Sequence, residues 1–151
     1  MHYLQRILLL VFIQSLVSFT QAAVIHDLNC NKLINPLGID TTTPMFGWKV
    51  KSTFQADEQT HYQILVASSL ELLNENVGDL WDSGKVKSSE QIAINYNGKK
   101  LKSGDVAYWK VKTWTLKEGE QSWSKTAHFS VGLLNSSDWQ GQFISFNPMG
   151  V

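Results

Sequence analysis

The sequence predicts an all-β protein built as a sandwich of about seven short strands, preceded by an N-terminal export segment. Three observations predict it. Apolar residues alternate with period two in several runs of four to eight residues, turn residues punctuate those runs at short spacing, and no helical periodicity lasts beyond about two turns. Composition agrees. The 151 residues are 43% hydrophobic with 17% charged, too apolar for disorder, and the formal net charge is zero. A neutral chain lacks the basic surplus that phosphate backbones demand, so nucleic-acid binding is not expected.

Taken in order, residues 1–22 are expected to be a signal peptide. His2 and Arg6 give a weakly basic start and Ile7 to Ile13 are seven consecutive apolar residues. Thr20-Gln21-Ala22 puts small residues where a signal peptidase cuts. The run is too short for a membrane span of roughly 20 residues, so no membrane association is expected after cleavage, and the product is exported, periplasmic or extracellular. Removal of residues 1–22, which takes away Arg6 alone among the charged residues, leaves about 129 residues with net charge −1, enough for one sandwich domain. Cys30, the single cysteine, cannot form an internal disulfide and is expected as a small buried hydrophobe near the first strand.

Short strands are expected at Val24–Leu28 and Leu80–Asp82. Met45–Lys51 places Phe46, Trp48 and Val50 on one face, with Lys49 and Lys51 on the other. Tyr62–Ala67 is more apolar and therefore central. Ile92–Tyr96 alternates Ile92, Ile94 and Tyr96 against Ala93 and Asn95, and Asn97-Gly98 then favours a tight turn because both residues tolerate positive φ. Tyr108–Thr115 sets Trp109, Val111 and Thr113 against Tyr108, Lys110, Lys112 and Trp114, and His128–Val131 closes the set. The one helical candidate has capping-box spacing in Ser68-Ser69-Leu70-Glu71 and an apolar side from Leu70, Leu72 and Leu73, but it ends by Gly78. It is expected as a loop decoration. Residues 23–134 form the domain. Asn135-Ser136-Ser137-Asp138 has linker composition, and 139–151, with Phe143, Ile144 and Phe146, read as the truncated start of a following β-domain.

No catalytic constellation emerges. Asp79, Asp82 and Glu90 are close in sequence, but nothing places two of them in one cleft, and they read as turn-capping or solvated residues. His26, His61 and His128 stand singly, without metal-ligand spacing, so neither a metal nor a cofactor is expected. The serine elbow and the phosphate-binding glycine loop are missing from the sequence. Six tryptophans invite a sugar-binding reading. Trp48 and Trp109 fall on core faces, whereas Trp114 lies among lysines on the opposite face and Trp81 lies near a turn. Trp114 and Trp81 are therefore the sugar-contact candidates. Asn135-Ser136-Ser137 also fits a glycosylation sequon.

The chain resembles the N-terminus of bacterial α-L-rhamnosidases of glycoside hydrolase family 78. The likeness rests on Leu33-Ile34-Asn35-Pro36-Leu37-Gly38-Ile39-Asp40 with Pro44-Met45-Phe46-Gly47-Trp48, and on Tyr62-Gln63-Ile64-Leu65-Val66-Ala67-Ser68-Ser69. It continues in Gly78-Asp79-Leu80-Trp81-Asp82-Ser83-Gly84-Lys85-Val86, Tyr108-Trp109-Lys110-Val111, and Gly132-Leu133-Leu134 with Ser137-Asp138-Trp139. Those motifs resemble the family's fibronectin type III-like, or immunoglobulin-like, N-terminal domain. The resemblance implies a parent enzyme that removes terminal α-L-rhamnose with inversion, using carboxylates in an (α/α)₆ barrel downstream of this chain. No catalytic residue is carried over. Partners implied are downstream domains of the same polypeptide and rhamnose-containing glycans. Leu101-Lys102-Ser103-Gly104 resembles a fibronectin turn whose following tyrosine is here Ala107, with Tyr108 on the other strand face, so a weakened tyrosine corner is expected. Three functions stay open: a non-catalytic accessory domain of a rhamnosidase, which the broken second domain favours, a freestanding sugar-binding module, and an adhesion or spacer domain.

Overall fold

A computed structural model describes residues 23–141; the expected signal peptide, 1–22, and residues 142–151 of the expected second domain lie outside the described residues. The described residues form an immunoglobulin-like sandwich of nine strands and one short helix: β1 (Val24–Cys30), β2 (Met45–Lys51), β3 (Gln59–Ala67), α1 (Leu70–Asn74), β4 (Trp81–Asp82), β5 (Val86–Lys87), β6 (Ile94–Asn95), β7 (Val106–Thr115), β8 (Gly119–Glu120) and β9 (Ala127–Ser130). One sheet has the order β1-β2-β6. The other is built on the antiparallel β3–β7 pair, with β4 and β5 on the far side of β3 and β8 and β9 on the far side of β7. All strand pairs are antiparallel.

The alternating faces meet as expected. Phe46 and Trp48 from β2 face Ile64 and Val66 of β3 and Trp109 and Val111 of β7, all at most 1% exposed. The Phe46 and Trp109 ring centroids lie 4.5 Å apart. Burying each such large side chain contributes about 1.5–3 kcal/mol. Trp48 donates its indole N–H to Gln59 Oε1 at 2.9 Å, and the same amide donates to Ser88 O and Glu90 O. One buried glutamine thus joins β2 to β3 and tethers the 88–90 segment. Cys30 is buried, and burial pushes its thiol up to about 12.

Several expectations need correction. The run Ile92–Tyr96 is not one alternating strand: Ala93 takes φ 58°, so Ile94 and Tyr96 are buried while Ile92 is 76% exposed. Asn97-Gly98 makes no positive-φ turn. Gly98 is required instead by close approach, since a Cβ there would meet Leu80 O and would lie 2.5 Å from Trp81 Cβ and 2.7 Å from Tyr96 Cζ. The helix N-cap is Ser69, whose Oγ accepts from Leu72 N, one residue after the expected cap; Ser68 is taken by Asp79, which accepts from its N–H and its hydroxyl.

The helix is also more than decoration. Leu73 is fully buried against Leu65 and Ala67 on the outer face of the larger sheet, with Tyr108 and Trp123 beside them. This cover explains Lys110, which was expected on a solvated face but is 7% exposed. Its ammonium donates to Leu73 O at 2.6 Å and Asn76 Oδ1 at 2.7 Å, capping the helix from the strand beneath it. Tyr108 stays on that outer face, opposite Ala67 and His128, and Ala107 is buried, so the expected corner tyrosine is missing. A hydroxyl anchor exists elsewhere: Tyr96 donates to Lys99 O at 2.7 Å. Residues 135–138, expected as linker, contain a 3₁₀ turn strapped down by Asp138, which accepts from Ser103 Oγ and from the backbone and amide N–H groups of Asn135.

Candidate functional site

The two tryptophans singled out by sequence occupy different faces of the larger sheet. Trp114 is on β7, on the outer face opposite His61 of β3. Its indole N–H donates to Glu120 at 3.1 Å, and the Lys85 ammonium sits 4.3 Å from its ring centroid. Lys112 bridges Trp114 and Trp123, 5.9 and 4.8 Å from their centroids, while pairing with Glu120 at 2.8 Å. The glutamate carboxyl is held below its usual range chiefly by that hydrogen bond with Lys112. A ring already holding a cation on its π-face has that face occupied. Trp114 is part of a surface lattice of alternating lysine and aromatic side chains.

Trp81 is half-buried on β4, opposite Val66, and its ring turns inward. It stacks on Phe46 at 6.2 Å and meets Tyr96 edge-on at 5.5 Å. The rest of its surface lines a lateral cleft of about 610 Å³ at the margin where β4 and β5 of one sheet approach β6 of the other; Tyr62, Asp82, Glu90, Asn95 and Asn97 line it too. The structure therefore does not bring Trp81 and Trp114 together. It does bring two of the three carboxylates flagged by sequence, Asp82 and Glu90, into one cleft, while Asp79 is spent on Ser68.

Each wall of the cleft is fixed by main-chain bonding. Trp81 and Asp82 are set by their ladder with Val66 and Leu65. Asp82 Oδ1 accepts from Gly84 N and from Gln63 Nε2, both at 2.8 Å, which closes the turn after β4 and leaves Oδ2 unbonded among the described residues. Glu90 is placed by the Gln59 amide on its carbonyl and by Ser88 Oγ accepting from its N–H. Asn95 is held by the β2–β6 pairing with Met45, and Asn97 follows Tyr96, whose N–H donates to Pro44 O. Tyr62 is 8% exposed and its ring packs edge-on against Trp48. Its phenol is pushed above its usual range by burial and secondarily by the Glu90 charge. The side chains of Glu90, Asn95 and Asn97 are exposed and make no hydrogen bond among the described residues.

Chemically this is a hydrogen-bonding cleft with an aromatic wall. Asp82 and Glu90 are both exposed. Among the described residues no group of three or more His, Cys, Asp or Glu could hold a metal ion. Sequence alone missed Tyr62, Asn95 and Asn97; their shared position depends on the junction of two sheets, and no local spacing announces it.

A second surface lies where the chain leaves the sandwich. Residues 36–39 run beside β9 and its continuation: Ser130 N donates to Pro36 O, Ile39 N to Ser130 O and Gly132 N to Ile39 O. Gly38 and Gly132 approach closely there. Leu37 and Leu133, the next residues on either side, are 80% and 53% exposed, and Leu33, Ile34 and Trp139 are more than half exposed.

Comparison with known proteins places the chain clearly. The family model described as "Rha78A-like, N-terminal immunoglobulin domain" matches residues 25–135. An α-L-rhamnosidase of Formosa agariphila is 42% identical over 109 residues, which is 72% of this chain and 11% of that protein. The solved α-L-rhamnosidase of Dictyoglumus thermophilum superposes with a TM-score of 0.76 at 42% identity, covering 83% of this chain and 14% of that one. The Streptomyces avermitilis α-L-rhamnosidase, solved in complex with L-rhamnose, superposes at 0.74 with 32% identity, covering 79% of this chain and 11% of its own. The chain thus spans about a tenth of the length of the curated relatives it matches.

Proposed function

The chain belongs to the family of Rha78A-like N-terminal immunoglobulin domains, and from that premise we propose that it is the non-catalytic accessory domain of an exported α-L-rhamnosidase. In this reading the whole polypeptide hydrolyses terminal α-L-rhamnose from rhamnose-containing glycans, and the sandwich packs against domains that follow it. The observation that carries the proposal is the coincidence of boundaries: the family match covers nearly all of the described sandwich, and rhamnosidases many times longer share this stretch. The exposed apolar residues Leu37, Leu133 and Trp139 around the chain exit supply the surface such packing needs. Export is supported by the Ile7–Ile13 run and by Thr20-Gln21-Ala22.

Two measurements test this. An antibody against residues 23–140 should detect, in the source organism, a product several times larger than 17.1 kDa; a product of the chain's own size would refute the accessory role. The purified chain should give no turnover of an aryl α-L-rhamnoside, and reproducible turnover surviving controls for contaminating enzyme would refute its non-catalytic character.

A further inference from the structure

We propose that the lateral cleft between Trp81, Tyr62 and Asn97 is a binding subsite for one neutral pyranose ring. The naming of that ring as a rhamnosyl unit rests on the function proposed above; the cleft itself does not.

The argument starts from what the cleft presents. Its volume of about 610 Å³ lies in the range of small-molecule sites. Trp81 offers an apolar surface whose orientation is fixed in advance by Phe46 and Tyr96. Asp82, Glu90, Asn95 and Asn97 also line the cleft, and Asp82 Oδ2, the Glu90 carboxylate and the amides of Asn95 and Asn97 make no hydrogen bond among the described residues. Tyr62 is the more telling member. It is more than nine-tenths buried, yet its hydroxyl has no hydrogen-bond partner among the described residues, and it is not among the polar atoms sealed from solvent. A buried phenol usually finds a partner. Here its open side is the cleft it lines.

The mixture of groups selects the ligand. Carboxylates accept, a phenol both donates and accepts, and amides do both. A ring hydroxyl is the ligand group that satisfies all three, and a pyranose carries several of them around an apolar ring face. Two carboxylates in the same cleft disfavour an acidic sugar, a sulfate or a phosphate by like-charge repulsion. A divalent cation lacks a third ligand. Trp114, by contrast, has its π-face under Lys85.

The test is a titration of the purified chain with methyl α-L-rhamnopyranoside, followed by backbone amide shifts in ¹⁵N NMR spectra. Expected is saturable binding with a dissociation constant on the order of 1–10 mM, the range for a single ring held by a few hydrogen bonds, with shifts concentrated in residues 81–97. Asn97→Ala and Glu90→Gln change exposed side chains with no bonds among the described residues, so both variants should fold, and each should weaken binding by about fivefold or more. Trp81→Ala should abolish it. Its fold must be checked by the same spectra, and the two milder variants decide the matter if it unfolds.

Shifts confined to the Trp114 face, no shifts at about 50 mM sugar, or equal affinity for galacturonate would each overturn the proposal. Binding of another neutral methyl pyranoside in residues 81–97, with none of the rhamnoside, would overturn the rhamnosyl assignment while upholding the cleft as a sugar subsite.

Discussion

Gly98→Ala is a severe test of how the cleft is held in shape. The glycine takes no left-handed conformation, so alanine meets no backbone penalty there. The cost is one of space. The new methyl would fall 2.5 Å from Trp81 Cβ and 2.7 Å from Tyr96 Cζ, and closer still to Leu80 O. Two of these neighbours cannot swing away. Leu80 O is a main-chain atom already accepting from Lys99 N at 2.9 Å, and Trp81 Cβ is set by the β3–β4 ladder. The tyrosine ring is pinned by its hydroxyl on Lys99 O and by its packing on Phe46. Overpacking a site that can relax costs about 1–3 kcal/mol, and a site with two main-chain-anchored neighbours belongs at the upper end, ~3 kcal/mol.

Urea denaturation measures this directly. With a slope of about 1–3 kcal/mol per molar urea for a domain of this size, the midpoint should fall by roughly 1–3 M without a change in slope. Near-ultraviolet circular dichroism of the Trp81–Tyr96 pair should change with it. The control is Gly104→Ala. Gly104 has φ 80° and nothing within 4 Å of the added methyl, so its cost is purely conformational, about 1–2 kcal/mol. The order of the two is the point: Gly98→Ala must be worse than Gly104→Ala. A Gly98→Ala protein within about 0.5 kcal/mol of wild type would refute the close-approach account.

Three further outcomes are expected. Leu73→Ala should cost about 2–5 kcal/mol in chemical denaturation, because the side chain is fully buried under α1; a loss below 1 kcal/mol would return the helix to decoration. Lys110→Met keeps the stem but removes the 2.6 Å donor to Leu73 O, which keeps Asn76 N at 3.0 Å, and the 2.7 Å donor to Asn76 Oδ1. Burial holds the ammonium below its usual range, so removing the charge recovers some desolvation. The loss of the two charge-assisted bonds should still prevail, by about 1–3 kcal/mol, with faster hydrogen exchange in residues 70–76; unchanged exchange would refute it. Cys30 carries an alkaline signature: its thiol ionises at about 12 when folded and near 9 when unfolded. Between those values the unfolded chain binds fewer protons than the folded one, so wild-type stability must fall as pH rises, by up to about 1.4 kcal/mol per pH unit. Cys30→Ala lacks that slope, so the two proteins' urea midpoints, measured with reductant, should converge between pH 9 and 11. Parallel lines would show that the thiol is not buried in solution.

What could be read from the sequence divides along a physical line. Strands β2, β3 and β7 were legible because period-two alternation is a local consequence of the pleat, and each buries one face. Apart from the local positive φ at Ala93 that breaks the Ile92–Tyr96 alternation, the main failures involve partners distant in sequence. Ser68 has the spacing of an N-cap, but Asp79, eleven residues on, takes its donors, and the cap moves to Ser69. Lys110 alternates with buried residues and should be wet; a helix from 37 residues earlier covers it. Gly98 follows an asparagine and suggests a turn, yet the backbone it must avoid belongs to Leu80.

The cleft is the extreme case. Tyr62 comes from the middle of one sheet, Asn95 from the edge of the other, and Glu90 from a segment between them, held by Ser88 N on Thr60 O of β3, by Trp48 N of β2 on Gln91 O, and by the Gln59 amide. Gln59 is a polar residue at the start of an apolar strand, and sequence offers no reason to value it. In the structure its carbonyl holds Trp48 and its amide holds the Glu90 loop, so a core contact and a cleft wall share one side chain. That coupling has a consequence for any ligand. The walls are fixed by bonds that the fold needs for its own stability, so little loop ordering is left to be paid when a ring enters, and even a weak set of hydrogen bonds can register as binding.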